Sequence, residues 1–182
     1  MSQISEHYIR LSDAFEETLR GVSPNQWDAP TPCTEWNVRQ LVEHVSKNAG
    51  IFFGLVGEPA PALPPVDTDP AEAWRVSDRT IREALVDAAR ANQEFDGFFG
   101  RTTFAKSVDA FMSFDLIVHR WDLARATGQD ERVDPVDIDW ALDQTKGWGE
   151  AMRGQNAFGP ALETPRGADA QTRLLAFLGR RA

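Results

Sequence analysis

Apolar residues recur in this chain at steps of three and four, block after block, and segments rich in proline and glycine separate the blocks. That periodicity commits most of the backbone to amphipathic helices. The first block, about Ser5 to Gly21, carries Tyr8, Leu11, Phe15 and Leu19 on one stripe that begins at Ile4, and Gly21 is a natural stop. Val22 to Cys33 is a polar, proline-punctuated loop. Thr34 is expected to cap a second helix, with Glu35 in its first turn, running to about Val56. Its apolar face is Val38, Leu41, Val42, Val45 and Ala49. Pro59, Pro61, Pro64 and Pro65 make Gly57 to Asp69 an extended loop, and Pro70 suits the first position of a third helix, to about Ala91. Asn92 to Phe104, with Phe95, Phe98, Phe99 and two glycines, reads equally as a short strand or a covering loop. A fourth helix spans about Ala105 to Thr127 and stops at Gly128. Asp134-Pro135 opens a fifth, to about Met152; a Gly- and Pro-rich tail, Gly154 to Gly167, precedes a last short helix, about Asp169 to Gly179. No internal repeat or heptad seam is visible. Four long helices with apolar stripes predict an all-α protein, an antiparallel four-helix bundle with an additional C-terminal helical segment, as one domain over residues 1–182.

The whole chain narrows the function classes. A net charge of −9 and a pI near 4.8 argue against nucleic acid, whose phosphates demand clustered Lys and Arg. No apolar run approaches the roughly 20 residues of a membrane span, so no membrane partner is expected. The start, Met1-Ser2-Gln3-Ile4-Ser5-Glu6, lacks the basic and apolar regions of a signal peptide, and a single cysteine excludes an internal disulfide framework. The expectation is a cytoplasmic protein with a small-molecule substrate, and monomer and homodimer are both compatible with it.

Two of the three histidines occupy matching contexts. His44 lies in Trp36-Asn37-Val38-Arg39-Gln40-Leu41-Val42-Glu43-His44-Val45, and His119 in Phe114-Asp115-Leu116-Ile117-Val118-His119-Arg120-Trp121-Asp122-Leu123. Residues three or four apart on a helix share a face, roughly 5–6 Å between Cβ atoms. Asp115 and His119 can therefore face one point, and a second helix can add His44. Two imidazoles and a carboxylate with further positions open make a catalytic divalent-metal site. On the residues alone a second reading stays open, in which each histidine is an ordinary hydrogen-bonded core residue. His7, beside Tyr8, is expected to face solvent. Trp36 and Trp121 each lie beside a candidate ligand face, although most of the six tryptophans and eleven phenylalanines read as core packing. Cys33, just before a helix start where thiol pKa values fall, is a candidate thiol; a structural role is the commoner one.

The segment Pro30-Thr31-Pro32-Cys33-Thr34-Glu35-Trp36, with a histidine ten residues after Thr34, resembles the N-terminal signature of the mycothiol-dependent maleylpyruvate isomerase N-terminal domain family, in the DinB/YfiT-like four-helix superfamily. Asp115 to Gly128 is similar to that family's second metal motif and the helix end that follows. The tail Leu174-Leu175-Ala176-Phe177-Leu178-Gly179-Arg180 is similar to short, single-domain actinobacterial members. The resemblance implies a divalent metal, zinc foremost with nickel as an alternative, at the mouth of the bundle. His44 and His119 match the family's histidine ligands. Asp115 stands where the isomerase has glutamate, and whether it or Asp122 is the carboxylate ligand stays open. The sequence ends at Ala182 without the C-terminal domain that contributes to substrate binding in the isomerase, so maleylpyruvate isomerisation is not carried over.

A metal with open positions lowers the pKa of a bound water or thiol. The resemblance supplies a low-molecular-weight thiol, mycothiol in actinobacteria, as cosubstrate. The resulting expectation is a metal-dependent thiol S-transferase or an isomerase-like enzyme acting on an unidentified electrophile. The rivals are a non-catalytic metal- or small-molecule-binding bundle and a purely structural protein. No catalytic residue is assigned. Asp122 could fix the tautomer of His119 or His44. Trp36 could line the substrate position, and Arg120, like Arg39 and Arg125, could meet a substrate carboxylate.

Overall fold

Ser2 starts the first helix: its side chain accepts the backbone N–H of Ser5 at 3.1 Å, satisfying one of the donors a helix start leaves open. Helix α1, Gln3–Arg20, then buries Ser5, Tyr8, Leu11, Ser12, Phe15 and Leu19 along one stripe. The structure, a computed structural model, describes residues 2–154 and 158–182.

Helix α2, Val38–Leu55, starts later than the sequence suggests. Thr34 does not cap it. Asn37 does, accepting from Gln40 N at 2.9 Å while the Gln40 side chain accepts from Asn37 N at 3.0 Å. The residues before it form a tight turn instead, in which Trp36 N donates to Cys33 O and Thr31 Oγ1 donates to Trp36 O. Val38, Leu41, Val42 and Ala49 are fully buried, and sealing a Leu or Val side chain is worth roughly 1.5–3 kcal/mol.

Helix α3, Pro70–Val86, has Asp69 as its cap. The expected continuation to Ala91 is broken at Asp87, whose backbone is extended and whose carboxylate accepts from Ala89 N and Arg90 N to open the short helix α4, Ala88–Ala91. The ambiguous phenylalanine-rich segment is a two-stranded antiparallel hairpin, β1 Glu94–Gly97 and β2 Gly100–Thr103, with Phe98 and Phe99 exposed at its tip. Gly100 takes φ 103°, a conformation that suits only glycine well.

The fourth bundle helix is continuous from Phe104 but not uniform. Helix α5, Phe104–Ser107, passes through a π-helical turn, Val108–Ser113, into helix α6, Phe114–Thr127. Gly128 ends it at φ 71°, the left-handed stop read from the sequence.

Contacts between α1, α2, α3 and α6 fix how they run. Ser5 Oγ donates to Leu85 O and Arg75 Nε to Glu16, so α1 and α3 are antiparallel. Asn48 meets Asp115 while His44 meets His119, so α2 and α6 are antiparallel too. Arg39 reaches Val66 O and Asp67 O at one end and Arg90 pairs with Glu58 at the other, so α2 and α3 run parallel. His7 with Asp109 and Thr18 with Gln129 align α1 with the fourth helix. The proline-rich segment between α2 and α3 makes this possible, because it is long enough to return the chain to the end where α2 began. The fold is all-α apart from the small hairpin, as the periodicity predicts.

The chain divides into two compact units, the first ending at Glu131 and the second Arg132–Ala182. The bundle is the first. The second pairs helices α7, Pro135–Gly154, and α8, Ala170–Phe177, the latter capped by Asp169 onto Thr172 N. Part of the expected Gly- and Pro-rich tail, residues 155–157, lies outside the described residues. Among the described residues, no helix is long and apolar enough to cross a membrane.

Candidate metal centre

The i, i+4 spacing on α6 places Asp115 and His119 on one face, and α2 packs against that face with His44. The three donors converge. His44 Nε2 lies 3.1 Å from Asp115 Oδ2, and His119 Nε2 lies 3.5 Å from Asp115 Oδ1. All three ligand atoms fall within 4.8 Å of one another. Two donors each roughly 2.0–2.1 Å from a tetrahedral cation stand about 3.3 Å apart. The two separations, one to each oxygen of Asp115, lie close to that value, and an N,N,O donor set of this kind fits a small divalent cation.

The wall behind the donors is polar and buried. Asp122, fully buried, meets His119 Nδ1 at 3.0 Å. An imidazole that donates Nδ1–H to a carboxylate keeps Nε2 as a lone-pair donor and becomes more basic. The partner offered to Asp122 by the sequence was either histidine, and the structure pairs it with His119. One residue was not anticipated. Asn48, one helical turn beyond His44, donates its side-chain N–H to Asp115 Oδ2 at 2.5 Å and stands 3.4 Å from His44 Nε2. It orients the carboxylate from the α2 side. Its signal in the sequence is a polar residue inside the apolar stripe, four after a candidate ligand and next to Ala49.

Trp36 covers the site, its ring 4.3 Å from that of His44 and 5.7 Å from that of His119. The Cys33–Trp36 turn sets it there. The same turn brings Cys33 within 4.8 Å of donor atoms of both His119 and Asp122, although no histidine is near it in sequence. His44 and Asp115 remain about one-third exposed, so the centre opens to solvent on that side.

The electrostatics follow from crowding two carboxylates against one buried ring. Burial alone would lower the His119 pKa, but Asp115 and then Asp122 outweigh it and push the pKa up to about 9. Burial likewise works against the charge on Asp115, yet His119 and His44 hold its carboxyl far below the usual carboxylate range. Without a cation, a proton on His119 offsets one of the two carboxylate charges.

The other candidates are placed elsewhere. Arg120 donates to Asp130 O beyond the end of its helix. Arg39 lies over Trp27 and ties down the α2–α3 loop, and Arg125 pairs with Glu131. Trp121 is buried in the core, with Arg125 over its ring. His7 does not face open solvent: its Nδ1 sits 2.7 Å from Asp109 Oδ1 and the pair is half-buried, because the π turn carries Asp109 against α1.

A sequence profile of the mycothiol maleylpyruvate isomerase N-terminal domain family matches residues 9–124, which contain every donor described above. The chain belongs to this family. Two uncharacterized proteins of Mycobacterium tuberculosis, one from strain CDC 1551 and one from strain H37Rv, are each 29% identical over 177 residues, 94% of this chain and 94% of theirs. No solved structure matches the chain. Membership of the mycothiol maleylpyruvate isomerase N-terminal domain family agrees with the helical bundle and with the resemblance read from the two histidine motifs.

Proposed function

We propose that this member of the family holds one divalent cation, zinc foremost, on His44, Asp115 and His119, and is a metal-dependent thiol S-transferase using a low-molecular-weight thiol of the mycothiol kind. The observation that carries the reading is the convergence of three donors from two helices with a buried Asp122 on the far nitrogen of His119. A bound cation supplies Lewis acidity that lets a thiol lose its proton near neutral pH.

The chain's own residues do the rest. Asp122 keeps His119 in one tautomer. Asn48 holds Asp115 in place while α2 presents His44. Trp36 shields the donors from bulk water on one side, and the part-exposed edge of His44 and Asp115 admits thiol and electrophile. In the transfer the thiol's S–H bond is lost, its sulfur bonds to the electrophilic carbon, and the leaving group or the adduct takes up the proton.

The test is metal analysis by mass spectrometry on the wild type and on the His44→Ala/His119→Ala variant, followed by thiol-consumption assays with an electrophile panel. About one metal per chain, lost in the variant, together with thiol consumption by the wild type alone, is the expected result. A folded wild type that takes up neither zinc nor nickel overturns it. Bound metal without any thiol chemistry leaves a metal-binding protein and refutes the transferase reading.

A further inference from the structure

His119 is flanked by a carboxylate on each of its nitrogens: Asp115 Oδ1 at 3.5 Å from Nε2 and Asp122 Oδ2 at 3.0 Å from Nδ1. Whichever nitrogen gives its lone pair to a cation, the N–H on the other has an acceptor. The Asp122 side also carries a sulfur, because Cys33, His119 and Asp122 bring one ligand atom each within 4.8 Å of one another. These three residues come from two separate places, the turn before α2 and the buried face of α6. The turn is held firmly, since Cys33 O accepts from Trp36 N at 2.8 Å and from Thr31 Oγ1 at 3.1 Å.

We propose that Cys33, His119 and Asp122 form a second cation position, selective for thiophilic metals, that competes with the His44–Asp115–His119 position for the one imidazole. A thiolate, an imidazole and a carboxylate are a donor set for zinc, cadmium or another soft cation, and the thiolate is what distinguishes it from the oxygen- and nitrogen-only set next to it. Binding there displaces the thiol proton and the Nδ1 proton to solvent, takes the Nδ1 lone pair and leaves Nε2–H directed at Asp115. That ring can no longer serve the first position, so a soft metal at Cys33 excludes a cation from the more open site. Cys33 is half-buried, which leaves a route for the metal to reach it. The position shares His119 with the proposed thiol-transfer site but adds Cys33, which is not a ligand in that reading.

The experiment titrates metal-stripped full-length protein with cadmium and follows the ultraviolet thiolate-to-cadmium charge-transfer absorption, with bound cadmium counted by equilibrium dialysis. The chain has one cysteine, so the band reports Cys33 alone. Wild type and His44→Ala are both expected to develop it, while Cys33→Ser does not. Absence of the band in wild type overturns the proposal. So does its disappearance in His44→Ala, which would make the sulfur a ligand of the first position. Cadmium retained by Cys33→Ser reads the first position separately, so failure of one assignment is not failure of the other. A second measurement needs no variant. Alkylation of Cys33 in wild type should slow about tenfold at a cadmium concentration about ten times the dissociation constant, and an unchanged rate overturns the proposal.

Discussion

Raising the pH of the metal-free protein from 6 to 9.5 should destabilise it through His119. The ring's folded pKa is about 9 against 6.5 for an ordinary histidine. Across that interval the folded chain keeps a proton that the unfolded chain has released, so stability falls by about 1.4 kcal/mol per pH unit, or about 3 kcal/mol in all. The stabilisation is fully present below pH 6.5 and is lost as pH rises through 9. Urea unfolding in a chelator, repeated at half-unit steps of pH, measures it, with the midpoint falling and the slope against urea constant. The upper limit matters because Tyr8, buried against Asp78, is held well above its usual pKa and adds its own loss of stability above pH 10. In saturating zinc the trend should reverse, because the ligands must be deprotonated to bind. A flat profile in chelator, or the same slope in His119→Gln, refutes the assignment of the proton to this ring.

Further outcomes follow from the same geometry. Asp122→Asn keeps the volume but weakens the polarisation of His119, and should lower zinc affinity by about 10- to 100-fold in a chelator competition; unchanged affinity in a folded variant removes Asp122 from the site. Asn37→Ala deletes the α2 cap and should cost about 1 kcal/mol in urea unfolding, whereas Thr34→Ala should cost nothing measurable. Asp122→Leu should destabilise the metal-free protein by about 1–3 kcal/mol by leaving the buried His119 Nδ1–H without its acceptor, while His119→Phe/Asp122→Leu should recover most of that loss; equal destabilisation of both would show that packing, not the hydrogen-bonded pair, sets the cost.

Periodicity was enough for the bundle because each helix has its own stripe and its own stop, and these are local signals. The boundaries that moved did so for local reasons that several residues could have satisfied. Asn37 rather than Thr34 caps α2 because the Thr31–Trp36 turn consumes the groups Thr34 would need, and Asp87 splits a run whose apolar spacing continues past it. The parallel course of α2 and α3 had no local signature, since it depends on how far the proline-rich loop travels. At the site, Asp115 and His119 were legible as one helical turn. Cys33 beside Asp122, and Asn48 beside Asp115, were not, because both contacts join segments far apart in sequence and depend on how α2 is rotated against α6.

Helix α6 is buried nearly all round, yet it carries Asp115, His119 and Asp122 on its inner surface. Burying two carboxylates and an imidazole is an inefficient way to hold helices together, since well-packed apolar residues of similar volume do as well or better. Leu116, Ile117 and Leu123 on the same helix already supply that packing. The π turn just upstream offers a reason the polar face can exist. It adds one residue to the helix, which rotates everything after it by roughly 100°. Phe104 and Val108 upstream are buried, with the Phe104 ring 5.3 Å from that of Phe53 on α2, and Asp115 and His119 downstream meet Asn48 and His44 of the same helix. Along its length the helix passes from buried apolar residues to the set that faces His44 and Asn48.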